Sequence, residues 1–351
     1  MREVAPPRAP RPRHFERTAV TRLTRTLSLT AAATAAIALA LTGCSTQSGG
    51  SSDEASGEAL RMGTQPWLGY GQWYVAEDQG FFEDRGVDVQ LSSFNADSDV
   101  NAALAADRLD MANVGAQAAL QFIEEGVDVS IVLMLDSATE ADAILSTSGI
   151  DDVAGLKGKT VAFEKGATSE ILIAEALEEA GLDFDDIEVV ESSADKVTPM
   201  LLAGRVDAGV TYEPYISEAL GSDAGAEAVV TAGEFPGLIT DVLVVRNDVL
   251  DERPDEVRDV LAAWDDSVAY YESDTEAAQG IIAAGVGSDP ADLETAFAGV
   301  HYYSLAENRD QLSGDYADET LPALAEVAQR IGLISGDVDA TSAIRAEFLG
   351  E

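Results

Sequence analysis

An eleven-residue string occurs twice in this chain at a fixed offset, and that recurrence narrows the architectures open to it. Val100-Asn101-Ala102-Ala103-Leu104-Ala105-Ala106-Asp107-Arg108-Leu109-Asp110 aligns with Val197-Thr198-Pro199-Met200-Leu201-Leu202-Ala203-Gly204-Arg205-Val206-Asp207 at an offset of 97, and five of the eleven places are identical. Each copy reads as an amphipathic helix, a turn and the start of a strand. The surroundings recur too. Strands are predicted at 60–63, 87–91, 111–114 and 131–135, with helices at 69–82 and 100–106. The same order returns as strands at 160–163, 187–190 and 208–211, with helices at 169–180 and 197–203. In the 169–180 segment Ile173, Ala176, Leu177 and Ala180 share one face, and Gly181 supplies the stop. Two similar βαβαβ lobes follow, hence an α/β chain with parallel strands. Loops at the carboxyl ends of such strands face one crevice, the usual ligand position in open α/β sheets.

The rest of the chain reads as helical. Pro254 opens one helix, with Val257, Val260, Leu261, Trp264 and Val268 on a single stripe. Pro290 opens another with Leu293 and Phe297, and Leu321, Leu324, Val327 and Ile331 mark a third. These are expected to clothe the first lobe after the chain returns to it near 241–246. The predicted organisation is lobe 1 at 59–148 plus 242–351, and lobe 2 at 149–241. Two crossings make a hinge pair that lets the lobes close on a ligand.

The amino terminus carries a different signal. Seven arginines lie between Arg2 and Arg25, an uncharged apolar run spans 27–41, and Leu41-Thr42-Gly43-Cys44 follows. A basic region, a short apolar region and small residues before the cut describe a secretory signal over 1–43. The run is too short to span a bilayer comfortably. The small-Gly-Cys ending resembles the lipobox of bacterial lipoproteins, which implies lipidation of Cys44 and two-chain anchoring on the outer face of the cell membrane. Residues 44–58, rich in Ser and Gly, read as a flexible tether.

Removing 1–43 leaves 308 residues with 14 basic and 62 acidic side chains, a formal net charge of −48. Such a surface argues against nucleic acid or anionic lipid as a charge partner. The acids are dispersed among periodic apolar segments, so the chain is not a disordered acidic tail. Cys44 is the only cysteine. Stability therefore comes from packed cores, and a monomer of about two domains is expected.

Several strings resemble the solute-binding proteins of nitrate/sulfonate/taurine importers, a family that includes thiamine-precursor binders (NMT1/THI5-like). They are Trp67-Leu68-Gly69-Tyr70 with Tyr74-Val75-Ala76 and Gly80-Phe81-Phe82, then Asp151-Asp152-Val153-Ala154-Gly155-Leu156-Lys157-Gly158-Lys159-Thr160. Tyr212-Glu213-Pro214-Tyr215 and Thr240-Asp241-Val242-Leu243-Val244-Val245 complete the set, which covers about residues 60–310. The resemblance implies a two-lobed periplasmic-binding-protein fold of the second type with its ligand cleft between the lobes. It also implies capture of a small polar solute for the transmembrane permease of an ABC importer. A lipid-anchored sensor without transport is the alternative, and a thiamine-pyrimidine-type enzyme is a more distant one.

The candidate ligand residues sit at strand ends. Gln65, Trp67, Gly69 and Tyr70 follow the first strand, where an aromatic wall can stand beside exposed backbone N–H groups. Gln117 opens a helix after a strand, and Asp136 with Ser137 ends the 131–135 strand. In the second lobe Thr168 or Ser169 is placed to cap a helix whose N-terminus could receive an anionic oxygen. Tyr212-Glu213-Pro214 sits where the repeat places the mirror of the segment around Val114-Gly115-Ala116, and Asp241 lies near the return crossing. Glu213 is the acid most expected in the crevice, with Arg246 and Arg309 as its possible partners or those of Asp241. Carboxylates beside Trp67, Tyr70 and Tyr212 favour a cation-bearing or zwitterionic ligand. That pattern counts against nitrate itself.

No catalytic set, metal site or cofactor is expected. After processing, His301 is the one histidine, and the chain lacks Cys-based metal spacings, a His-x-x-x-His pair and a Gly-x-Ser-x-Gly elbow. The resemblance includes a pyrimidine synthase branch, but that branch requires a reactive His and a Cys-rich motif.

Overall fold

The computed structural model describes residues 58–336 and 338–350. The signal segment, Cys44 and all of the tether but residue 58 lie outside the described residues. Eleven strands are described: β1 (Leu60–Thr64), β2 (Val89–Ser93), β3 (Met111–Gly115), β4 (Val129–Ala138), β5 (Asp142–Ser146), β6 (Thr160–Phe163), β7 (Glu188–Glu191), β8 (Ala208–Tyr212), β9 (Glu227–Thr231), β10 (Thr240–Arg246) and β11 (Val300–Tyr302).

They form two sheets. The first has the order β2-β1-β3-β10-β4-β11, and the second β7-β6-β8-β5-β9. β1 runs parallel to β2 and β3, as β6 does to β7 and β8. The fourth strand of each sheet, β10 or β5, runs antiparallel to both its neighbours. The repeated string maps onto this with no slippage. The helix Asp97–Ala105 and β3 lie 97 residues before the helix Ala194–Leu202 and β8 at every boundary.

One expected boundary moves. β5 belongs to the second sheet, so the chain first crosses at 139–141 rather than at 148/149. It returns at 232–239, which leaves Asp241 inside β10 of the first sheet. The helix expected over 69–82 is three pieces, Leu68–Tyr70, Gln72–Gln79 and Phe81–Arg85, because Gly71 and Gly80 punctuate it. Gly80 stops its helix in the left-handed conformation at φ 75°.

The helix Pro254–Ser273 starts on Pro254, whose fixed φ suits the first turn, and buries Val257, Val260, Leu261, Trp264 and Val268. Burial of each such side chain stabilises the fold by about 1.5–3 kcal/mol. Trp264 packs against Trp73 with ring centroids 4.7 Å apart. The Trp73 indole donates to Asn113 Oδ1 at 2.8 Å, and the Asn113 amide donates to the Gly63 carbonyl at 3.1 Å. That chain of bonds satisfies the polar atoms buried behind β1 and β3. Pro290 begins only a short turn, Pro290–Asp292, followed by the helix Glu294–Ala298. Among the described residues no helix is long and apolar enough to cross a membrane.

Candidate functional site

The carboxyl ends of β1, β2, β6, β7 and β8 and the amino ends of β5 and β10 converge on one cavity between the sheets. In the clasped structure it leaves about 30 Å3 of room for the centre of a water-sized sphere, within about 420 Å3 of space between atoms that includes open solvent at its mouth. Gln65, Trp67, Tyr70, Asp97 and Asp241 line it from the first sheet. Asp142, Glu164, Ala167, Thr168, Ser169, Ala194 and Tyr212 line it from the second, and Ile239 comes from the return crossing. Strand topology explains the placement, since the loops that leave the carboxyl ends of the parallel strands of each sheet open toward the crevice between the lobes.

Bonds from one lobe to the other ring this cavity. Ser98 donates its backbone N–H and its hydroxyl to Glu164 Oε1, each at 3.2 Å. Gln117 Nε2 donates to Thr168 Oγ1 at 3.2 Å, and Gln121 Nε2 to the Gly166 carbonyl at 3.0 Å. Trp67 meets Tyr212 edge-on with ring centroids 5.6 Å apart. On the outer seam Arg330 pairs with Glu175 and Glu178 of the helix Thr168–Glu179. The lobes are therefore clasped.

Two helix starts face the seam, and each receives a carboxylate from the opposite lobe. A helix N-terminus attracts negative charge through its free N–H groups. Glu164 meets the first turn of the helix Asp97–Ala105 through Ser98. Asp97 meets the start of the helix Thr168–Glu179, where the Thr168 N–H acts on its carboxyl, and it accepts from Gln65 Nε2 at 2.6 Å.

Burial dominates the electrostatics. It pushes the Asp97 carboxyl up to about 7, helped by the Glu164 and Asp241 charges and opposed by the Gln65 amide and the Thr168 N–H. Burial likewise pushes Asp241 up to about 7, eased by the Trp67 indole and the Tyr70 hydroxyl. Asp142 stands well above the ordinary carboxylate range because it is buried beside Asp241, Asp97 and Glu213. Asp136, opposite Asp241 on the neighbouring strand, is held well above that range by burial and then by Asp241. The Trp67 indole is close enough to ease the Asp136 charge, yet its N–H makes no hydrogen bond of acceptable geometry, and neither do the Asp136 oxygens.

The structure brings Gln65, Trp67, Tyr70, Thr168, Tyr212 and Asp241 together at the cavity wall. The other candidates lie off it. Gly69 sits behind Trp67, where a Cβ would fall 2.1 Å from Asp136 Oδ2. Gln117 is a clasp to Thr168 rather than wall. Ser137 accepts from the Tyr303 hydroxyl at 3.2 Å. Glu213, expected in the crevice, turns instead to the helix Tyr215–Leu220 and accepts from the Ser217 N–H and hydroxyl, each at 3.0 Å. A free first turn four residues ahead is a nearer partner than the cavity. Thr168 is not a cap: the N-cap of its helix is Ala167, and no side-chain hydrogen bond caps it. Arg246 pairs with Asp107 and Asp248, and Arg309 donates to the Leu349 and Gly350 carbonyls, so neither serves the cavity acids. His301 stands on the exposed edge of β11 beside Glu307.

Three wall acids were not singled out in the sequence: Asp97, Asp142 and Glu164. Asp142 mirrors Asp241 in strand register. It pairs with Tyr212, while Asp241 pairs with Gly115, and Gly115 and Tyr212 are mates at the offset of 97. The two acids therefore occupy equivalent places in the two lobes.

Comparison with known proteins agrees with this architecture. A putative aliphatic sulfonates-binding protein of Bacillus subtilis (strain 168) is 27% identical over 324 residues, covering 90% of this chain and 93% of the relative. The crystal structure of the periplasmic aliphatic sulphonate binding protein SsuA from Escherichia coli superposes with a TM-score of 0.68 at 23% identity, covering 83% of this chain and 92% of that one. The desulfurization enzyme DSZB shares the fold at a TM-score of 0.65 and 16% identity, covering 83% and 97%. The family model described as NMT1/THI5 like matches residues 69–278. With its two sheets, its seam cavity and that match over more than half its length, the chain belongs to the NMT1/THI5-like family.

Proposed function

We propose that this chain is the extracytoplasmic solute receptor of an ABC importer, anchored through a lipid on Cys44, and that it closes two lobes over one small polar organic solute. The observation that carries this reading is the cavity at the seam, lined from both sheets and ringed by bonds that form only when the lobes meet. The two crossings at 139–141 and 232–239 supply the hinge. Closure removes water and strengthens the few polar contacts inside. The names of the sulfonate-binding relatives support the binding role.

DSZB shows that this fold also serves an enzyme, so catalysis is the competing reading. Against it stands the chemistry of the wall. Its one serine, Ser169, donates to the Glu164 carbonyl at 3.1 Å and accepts from the Glu164 N–H at 3.2 Å, and His301 lies on the outer edge. Neither forms a nucleophile–base pair.

Equilibrium dialysis of the full-length protein against a polar extract of growth medium tests the proposal. A receptor retains one unchanged compound in a 1:1 ratio and loses it in Trp67→Ala and Tyr212→Ala. Retention of nothing, or appearance of new product masses in the dialysate, contradicts the proposal.

A further inference from the structure

The charge inside the cavity is one-sided. Among the described residues lining it, the ionisable groups are Asp97, Asp142, Glu164, Asp241 and two tyrosines, and none is Lys, Arg or His. An anionic solute needs donors, and the natural ones here, the two helix starts, already hold carboxylates from the facing lobe. Apart from the Trp67 N–H, which lies next to the Asp136 and Asp241 carboxyls, what remains unmatched inside the wall is acceptor. Gln65 and Asp142, at 2% and 5% exposure, leave Gln65 Oε1 and Asp142 Oδ2 buried without a hydrogen-bond partner. A buried acceptor left unmade costs about 1–3 kcal/mol, which a donor arriving from a solute recovers. Trp67, Tyr70 and Tyr212 add aromatic faces and edges to the same space. Among the described residues no three of His, Cys, Asp or Glu are grouped to hold a metal ion.

We propose that the solute is a compact organic cation with N–H donors, such as an amidinium, guanidinium or small ammonium, held between Asp142 of one lobe and Asp241 of the other against the Trp67–Tyr212 wall. This rests on the receptor reading above. The geometry supplies one carboxylate from each lobe, at mated positions, so a cation bridges the lobes and favours the closed state. Aromatic rings beside it add cation–π attraction. The raised carboxyls give the binding a pH signature. A cation draws them into the charged form, so each one that is protonated in the free protein releases a proton on binding. Affinity therefore rises with pH.

The test is calorimetric titration of the full-length protein in mild detergent with benzamidinium and, separately, with ethanesulfonate. Benzamidinium is expected to bind 1:1 at about pH 8 and roughly tenfold more weakly for each unit below about pH 7 and each proton released. Asp142→Asn and Asp241→Asn should each weaken it on the order of 30-fold or more. Their melting temperatures, expected at or above the parent's, report that they fold. Binding of ethanesulfonate with benzamidinium silent overturns the cation inference and leaves the receptor reading intact. Binding of neither probe also overturns it, and the receptor reading then stands or falls on whether dialysis retains a solute. Benzamidinium binding that is unchanged in both Asn variants overturns the assignment of these two acids.

Discussion

Under Val100 the first sheet makes room with Gly63, whereas under Val197 the second sheet makes room with Gly209. The two valines are mates at the offset of 97, and each anchors the helix that leads into the cavity. A Cβ on Gly63 would lie 2.6 Å from Val100 Cγ2, and one on Gly209 would lie 2.3 Å from Val197 Cγ1. Yet the glycines are on different strands. Gly63 of β1 pairs with Ala112 of β3, while Ala162 of β6 pairs with Gly209 of β8. The lobes thus share one requirement, a helix pressed onto a two-strand ridge with one small gap, and meet it from opposite strands. Packing conserves volume between the lobes rather than residue identity at each place.

Gly209→Ala sharpens this comparison most. It should lower unfolding free energy by about 2–3 kcal/mol in urea denaturation, with Gly63→Ala close behind. Moving the gap in the first lobe, by Gly63→Ala together with Ala112→Gly, should return part of the loss. No return would mean that the gap belongs to one strand and not to the pair.

The buried acids of the cavity wall allow a second comparison. Asp97 and Asp241 titrate near about 7 in the fold, well above the unfolded carboxylate value of about 4. The stability their retained protons contribute is fully present below about pH 4 and is lost as pH rises through about 7. The free protein should therefore lose on the order of 2 kcal/mol per such group between about pH 5 and pH 8. Asp142→Asn and Asp241→Asn should each flatten that slope, and a slope changed by only one of them would break their equivalence.

A third comparison concerns the turn after each repeated helix. Asp107 and Gly204 are mates, both left-handed, at φ 58° and 63°. Gly204→Ala should cost about 1–2 kcal/mol, because a Cβ disfavours that conformation. Asp107→Gly should relieve similar strain but also lose the ion pair with Arg246, for a net change within about 0.5 kcal/mol. The smallest effect is expected at the outer seam. Arg330→Ala removes half-exposed pairs to Glu175 and Glu178, so solute affinity should fall by at most about fivefold, and the difference should vanish in high salt.

The paired lobes, the parallel strand triplets and the return of the chain were legible in the sequence because a repeated helix–turn–strand string carries its own register. Trp67, Tyr70, Tyr212 and Asp241 were legible as wall residues because they flank strand ends. Asp142 was not, since β5 is five residues long and was absorbed into the first lobe, which hid its equivalence to β10. Asp97 and Glu164 were lost among 64 acidic residues. Glu213 misled for the opposite reason: its place in the repeat pointed to the cavity, while a local helix start four residues on claimed its carboxylate. Burial, which separates a wall acid from a surface acid, is a property of the assembled seam and leaves little trace in local spacing.

The central claim is that the cavity is sealed by movement of one lobe against the other. Spin labels at Glu77→Cys in the first lobe and Lys196→Cys in the second, in a Cys44→Ser background, measure this directly. The account predicts two distance populations in the free protein, collapsing to the one of the clasped structure when benzamidinium or the dialysis-retained solute is added. A single distance, unchanged by a solute that binds, would contradict it.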